Sequence, residues 1–146
     1  MSSIVTFTRL PTSALGQLRT DFDAAMERHG QVAAEYNWGG DVLATLLPFL
    51  DEHGVALMDS PHNELTRHLS ESRETSIFVF THAQKEMYLE RLAPLRFSAD
   101  ALRDYFNEFN GTHEPDVGQA MIDGIAAIRQ SLSALDADSV ILLSID

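Results

Sequence analysis

The segment that most constrains the fold is Val140 to Ile145, a nearly continuous run of apolar residues. A strand with one face in water alternates apolar and polar residues, so this run predicts a strand buried on both faces and inserted into a sheet. Thr75 to Phe80 has the same character, whereas Ile4 to Arg9 alternates and predicts a half-buried strand. Val55 to Met58 predicts a fourth, shorter strand.

Six other segments have apolar residues at spacings of three and four, which predicts six helices around this sheet. They run from Thr12 to His29, Asp41 to His53, Pro61 to Ser70, Gln84 to Leu95, Ser98 to Phe109 and Val117 to Leu135. The second is apolar around most of its circumference, which predicts a central position in the core. Pro48 should kink or split that helix, because proline removes a backbone hydrogen bond.

The order of these elements predicts the fold class. A strand at 55–58, a helical crossover and a strand at 75–80 form a βαβ unit, in which the two strands are parallel neighbours. We therefore expect one α+β domain over residues 1–146, with a small mixed sheet of about four strands flanked by about six helices.

Composition narrows the classes of function. The 22 acidic residues outnumber the 10 basic ones, which gives a formal net charge of -12. Such a surface repels a phosphate backbone and attracts basic proteins, so we expect no nucleic-acid partner and a possible basic protein partner. Cysteine is absent, which excludes disulfides, thiolate zinc sites and iron-sulfur clusters.

No segment predicts export or membrane insertion. The first residues lack the basic start and apolar stretch of a signal peptide, and the longest apolar runs are strand-sized, far below the ~20 residues that span a bilayer. These patterns predict a cytoplasmic protein without a membrane partner.

The common catalytic and nucleotide-binding motifs do not occur in the sequence. His29 and His53 each precede a glycine at the end of a predicted helix, where an imidazole can bond the last carbonyls. Trp38-Gly39-Gly40 precedes another helix and has the flexibility of an anion-binding turn. Asp41 already supplies a carboxylate there, which favours a capped helix start.

One group of residues predicts a metal site. Asp59 and His82 follow the two strands that we expect to be parallel, and ligands bind at the carboxyl ends of such strands. His62 lies in the next helical turn, and two imidazoles with a carboxylate form a ligand set for zinc or non-haem iron. Glu64 and His68 share a helix face as a second possibility. The structural alternative is a turn residue and solvated polar side chains.

An aromatic stripe predicts a second kind of site. Tyr105, Phe106 and Phe109 lie close together on one predicted helix, and such side chains are favoured at the centres of interfaces. The same periodicity is typical of core packing. If part of the stripe is exposed, we expect a partner surface or a homo-oligomer contact.

The second half of the chain resembles a known family. The resemblance is carried by the strand ending at Phe80, the segment Thr81-His82-Ala83-Gln84, the helix with Leu89 and Leu92, the segment Ser98-Ala99-Asp100-Ala101-Leu102-Arg103-Asp104-Tyr105-Phe106, Pro115, a long helix and a final apolar strand. This order resembles the YfbM-like family of uncharacterised bacterial proteins. The resemblance implies a small cytoplasmic α+β domain and assigns no site residue.

Two functional hypotheses follow. The first is a non-enzymatic binding protein, of the inhibitor or immunity type, for a basic partner, with no cofactor. The second is a metal-dependent, hydrolase-like enzyme, in which Asp59, His62 and His82 hold a divalent metal whose bound water is the nucleophile.

Overall fold

The computed structural model describes residues 4–146. Its four strands are β1 (Val5–Pro11), β2 (Gln31–Ala34), β3 (Ser76–Phe80) and β4 (Ser139–Ile145). They form one sheet in the order β2-β1-β4-β3, and every neighbouring pair is antiparallel. The α+β class and the number of strands are confirmed, while the expected parallel pair is wrong.

The apolar run at the end of the chain lies where the sequence predicts. β4 pairs with β1 from Val5 opposite Ile145 to Pro11 opposite Ser139, and with β3 along its other edge. Ile141 and Leu143 point into one core cluster, and Leu142 points into another. Both faces of β4 are therefore buried, which explains why its residues are apolar without alternation.

Within residues 4–146, seven α-helices surround the sheet. They are α1 (Leu15–Thr20), α2 (Phe22–His29), α3 (Gly40–Glu52), α4 (Asn63–Arg73), α5 (His82–Tyr88), α6 (Ala99–Asn110) and α7 (Val117–Ser133), with short 3-10 turns at Thr12–Ala14, Leu89–Leu92 and Pro94–Arg96. Residues of α3, α6 and α7 share the larger core cluster, and residues of α1, α2 and α4 share the smaller one on the other face. The sheet therefore separates two helical layers.

The helix predicted over Thr12 to His29 is two helices. Asp21 has extended backbone angles, φ -152° and ψ 92°, and its side chain accepts a hydrogen bond from the Ala24 N–H at 3.2 Å. It is thus the N-cap of α2, because an aspartate can satisfy a free amide at a helix start. Pro48, in contrast, does not split α3, which continues through it to Glu52.

The strand predicted at Val55 to Met58 does not form. Val55 and Leu57 are buried beside α3, so their apolar character reflects core contacts without strand pairing. The carbonyl of Ala56 accepts from Nε2 of Gln84 at 3.1 Å, which supplies a side-chain partner instead of a neighbouring strand. The fourth strand is β2, a short edge strand whose Val32 is exposed.

Helix α7 lies very close to both α6 and α3. Gly118 of α7 is buried, and a Cβ atom built there would lie 2.1 Å from the Ala99 carbonyl oxygen of α6. A Cβ atom built on Gly124 of α7 would lie 2.9 Å from the Leu46 side chain of α3. These glycines let α7 approach both α6 and α3, and so fix the positions of the two helices that carry the candidate site.

Candidate functional site

The residues predicted to bind a metal lie in the turns around α4 and α5. Asp59 is exposed, and its Oδ1 accepts from Nδ2 of Asn63 at 3.3 Å. His62 directly precedes α4. His82 begins α5, with Nε2 3.7 Å from Oε1 of Glu86. Among residues 4–146, no three or more histidine and carboxylate side chains are grouped so that they could hold a metal ion.

The topology explains why the predicted ligands are not gathered. Their predicted convergence required parallel strands at 55–58 and 75–80, and the first of these strands is absent from the fold. Gln84 occupies the space between the two segments, because its Nε2 donates to the carbonyls of Ala56 and Asp59 at 3.1 and 2.8 Å. Its Oε1 accepts from the Thr81 N–H in a capping box. The Thr-x-x-Gln spacing was the available signal for this role.

The other histidine and carboxylate residues singled out in the sequence have different outcomes. His53 Nδ1 lies 2.8 Å from the Phe49 carbonyl oxygen at the end of α3, which confirms the predicted cap. His29 instead contacts Oε1 of Gln17 at 3.2 Å. Glu64 pairs with Arg19 at 3.5 Å.

The Trp38-Gly39 turn is a helix start in a negatively charged environment. Gly39 is the N-cap of α3, and Asp41 lies in the first turn without making a side-chain cap. Trp38 donates from Nε1 to Oδ2 of Asp123 at 2.8 Å. With Asp41 and Asp123 nearby, the turn does not favour the phosphate that glycine flexibility alone allows.

The aromatic stripe on α6 divides between core and surface. Phe106 is 1% exposed and belongs to the core. The prediction that it contacts a partner is therefore wrong. Tyr105 is half-buried and Phe109 is 57% exposed. The Tyr105 and Phe109 rings stack with centroids 5.9 Å apart, and Tyr105 packs edge-on against Phe49 at 5.0 Å.

The Tyr105 hydroxyl links the two helices of this surface. It donates a short hydrogen bond to the Glu52 carboxylate of α3. Burial and the Glu52 charge raise the pKa of Tyr105 to about 12, so the phenol keeps its proton at neutral pH. This contact and the Phe49 packing hold the tyrosine ring in one orientation beside Phe109.

We define the α3 face as the exposed and half-buried residues along α3, together with Tyr105 of α6, which contacts α3, and the exposed Glu108 and Phe109 one turn further along α6. These residues are Asp41, Ala44, Pro48, Asp51, Glu52, Tyr105, Glu108 and Phe109. Four of them are carboxylates, and within residues 4–146 no arginine or lysine forms an ion pair with any of the four. The α3 face therefore combines a held tyrosine ring and an exposed phenylalanine with carboxylates that have no arginine or lysine partner among the described residues.

The acidic character continues beyond one end of this face. An open cleft of about 470 Å³ lies beside Asp41 and Ala44 and is also lined by Glu74 and Asp146. On the opposite helical layer, the ion pairs of Arg19 with Glu64 and of Arg73 with Asp23 join neighbouring helices. On α6, Arg103 pairs with Asp100 and Asp104 of its own helix. Charge on the molecule is thus unevenly compensated.

No protein-family model, curated protein or solved structure matches this chain. Within residues 4–146, the helices are too short or too polar to cross a membrane.

Proposed function

We propose that this protein is a non-enzymatic binding protein, of the inhibitor or immunity type, and that its α3 face contacts a basic protein partner. The observation that carries the proposal is the exposed Phe109 ring, stacked on the half-buried Tyr105, beside the Glu52, Glu108 and Asp51 carboxylates, which form no ion pair with an arginine or lysine among residues 4–146. Aromatic anchors surrounded by polar side chains are typical of the centres of protein interfaces.

The aromatic pair would supply contact area at a low entropic cost. The Tyr105 ring is already fixed by Glu52 and Phe49, so little side-chain freedom remains to be lost on binding. Phe109 presents the apolar surface that a partner would cover.

The carboxylates would select the charge of the partner. A surface with a net charge of -12 accelerates encounters with basic proteins and slows encounters with acidic ones. Since the carboxylates of the α3 face have no internal cationic partner among the described residues, arginine or lysine side chains of another protein can pair with them without breaking existing ion pairs.

The test compares two variants that lose the same number of charges at different places, and a third that loses the exposed phenylalanine. Asp51→Asn combined with Glu52→Gln removes two charges from the α3 face, and Phe109→Ser removes its apolar anchor. Glu27→Gln combined with Glu71→Gln removes two charges from exposed positions on α2 and α4. Each tagged protein is used to capture partners from a cell lysate at low salt and at ~0.5 M salt, where surface charges are strongly screened.

We expect the wild type and the Glu27 and Glu71 variant to capture the same basic protein at low salt and to release it at high salt. Both α3-face variants should lose it. Capture of no basic protein by the wild type, or equal capture by all variants, would contradict the proposal.

A further inference from the structure

A separate cleft lies between the segment before α3 and the outer side of α7. Its volume is about 240 Å³, and its lining includes Glu35, Tyr36 and Trp38 on one wall and Asp123, Ala127 and Gln130 on the other. The cleft is large enough for the head group of one long side chain or a small organic ion, and it lies outside the α3 face defined above.

The Trp38 ring is held in place while remaining accessible. Its Nε1 donates to Oδ2 of Asp123 at 2.8 Å, and the other Asp123 oxygen accepts from Nε2 of Gln119 at 2.9 Å. Trp38 remains 40% exposed, so these contacts fix the indole without covering it. An exposed, fixed indole is the best aromatic surface for a cation.

The cleft is negatively charged, as the binding of a cation requires. Glu35 and Asp123 contribute two carboxylates, and no arginine or lysine lines the cleft within the described chain. Burial raises the pKa of Tyr36, and the negative charges of Asp123 and Asp41 raise it further. The Asp123 and Asp41 contributions to this pKa shift come from their negative charge, and that charge favours a bound cation.

We propose that this cleft binds one organic cation, a guanidinium or alkylammonium group, which packs against the Trp38 ring and pairs with the Glu35 and Asp123 carboxylates. The cation comes either from a free small molecule or from an arginine side chain of a protein partner, since both present the same head group. The proposal does not depend on the α3 face, so it can fail or succeed independently of the proposed function.

The chain contains one tryptophan, so its fluorescence reports on this cleft alone. We would titrate the full chain with N-acetylarginine amide and with tetramethylammonium chloride, using sodium chloride at equal ionic strength as the reference. The same titrations with acetyl-Gly-Arg-Gly-amide test an arginine within a peptide. Glu35→Gln removes a charge from the cleft, and Glu27→Gln removes one from the exposed surface of α2.

We expect a saturable fluorescence change with the organic cations and none with sodium chloride. Glu35→Gln should weaken binding about threefold, the effect of losing one exposed charge pair, and Glu27→Gln should leave it unchanged. Saturation by the small molecules supports a free ligand, and saturation by the arginine peptide alone supports a partner side chain. A response equal to that of sodium chloride, or equal affinities in the two variants, would overturn the proposal.

Discussion

Gly118→Ala should destabilise the protein, although alanine is ordinarily the better helix former by up to about 1 kcal/mol. The added Cβ would lie 2.1 Å from the Ala99 carbonyl oxygen and 3.2 Å from the Arg103 Cβ. The first distance is about 1 Å short of van der Waals contact, and its partner is a backbone atom at the start of α6. The helices must therefore separate, because no side chain can simply rotate away.

The expected cost is about 1–3 kcal/mol, the usual range for overpacking a well-packed core. With a urea dependence of about 1–3 kcal/mol per molar, the unfolding midpoint should fall by about 1 M. Gly16 of α1 is the matched control, since nothing lies within 4 Å of a Cβ built there. Gly16→Ala should leave the midpoint unchanged or raise it.

Gly124→Ala provides an intermediate case. Its Cβ would lie 2.9 Å from a terminal methyl of Leu46, which can move more easily than a backbone carbonyl. Urea unfolding followed by circular dichroism should therefore rank the three variants from Gly16→Ala as the most stable to Gly118→Ala as the least. A Gly118→Ala protein as stable as the wild type would refute the described contact between α6 and α7.

Three further predictions concern buried and charged groups. Above pH 10 the phenol of Tyr36 ionises in the unfolded chain but keeps its proton in the folded protein, because its pKa is raised there. The free energy of unfolding of the wild type should therefore fall by up to about 1.4 kcal/mol per pH unit above pH 10, and Tyr36→Phe should remove this fall. Asp136→Asn should lower the urea midpoint at neutral pH and lose this effect in acid, because hydrogen bonds from Asp138 and Ser139 lower the pKa of Asp136 in the folded state. Gln84→Ala should lower stability by about 1–2 kcal/mol, because the partly buried carbonyls of Ala56 and Asp59 lose their hydrogen-bond donor. His82→Ala should change stability by less than about 0.5 kcal/mol in thermal unfolding.

Each of these has a contrary outcome. Parallel stability curves for the wild type and Tyr36→Phe above pH 10 would contradict the account of that phenol. An Asp136→Asn effect that persists unchanged at pH 2 would mean that ionisation is not its cause. If Gln84→Ala and His82→Ala lower the stability equally, the hydrogen bonds of Gln84 do not hold the 55–59 segment in place.

The sequence predicts β3 and β4 because burial on both faces leaves a strong pattern. Val140 to Ile145 and Thr75 to Phe80 are both strands in the structure. Val55 to Met58 shows the limit of the same reasoning, since a short apolar run is equally compatible with a buried loop. Gln31–Ala34 lies at an exposed edge, where little apolar burial is required, so its pattern is weak.

The surface sites depend on contacts that sequence spacing does not contain. Two pairs of α6 residues are spaced four apart and lie in different environments. Leu102 and Phe106 are buried in the core, whereas Tyr105 is half-buried and Phe109 is exposed. Periodicity places these residues on neighbouring faces but does not say which one α3 covers. The contact between Trp38 and Asp123 joins residues 85 positions apart, which no local pattern reveals.

The most direct test of the proposed function is an NMR map of the surface that the basic partner covers. Amide shifts of the labelled protein would be recorded while the partner captured at low salt is added. The proposal predicts that the largest changes occur at Glu52, Tyr105 and Phe109, and that they diminish as salt is raised. Changes concentrated on α2 and α4, with the α3 face unaffected, would contradict it.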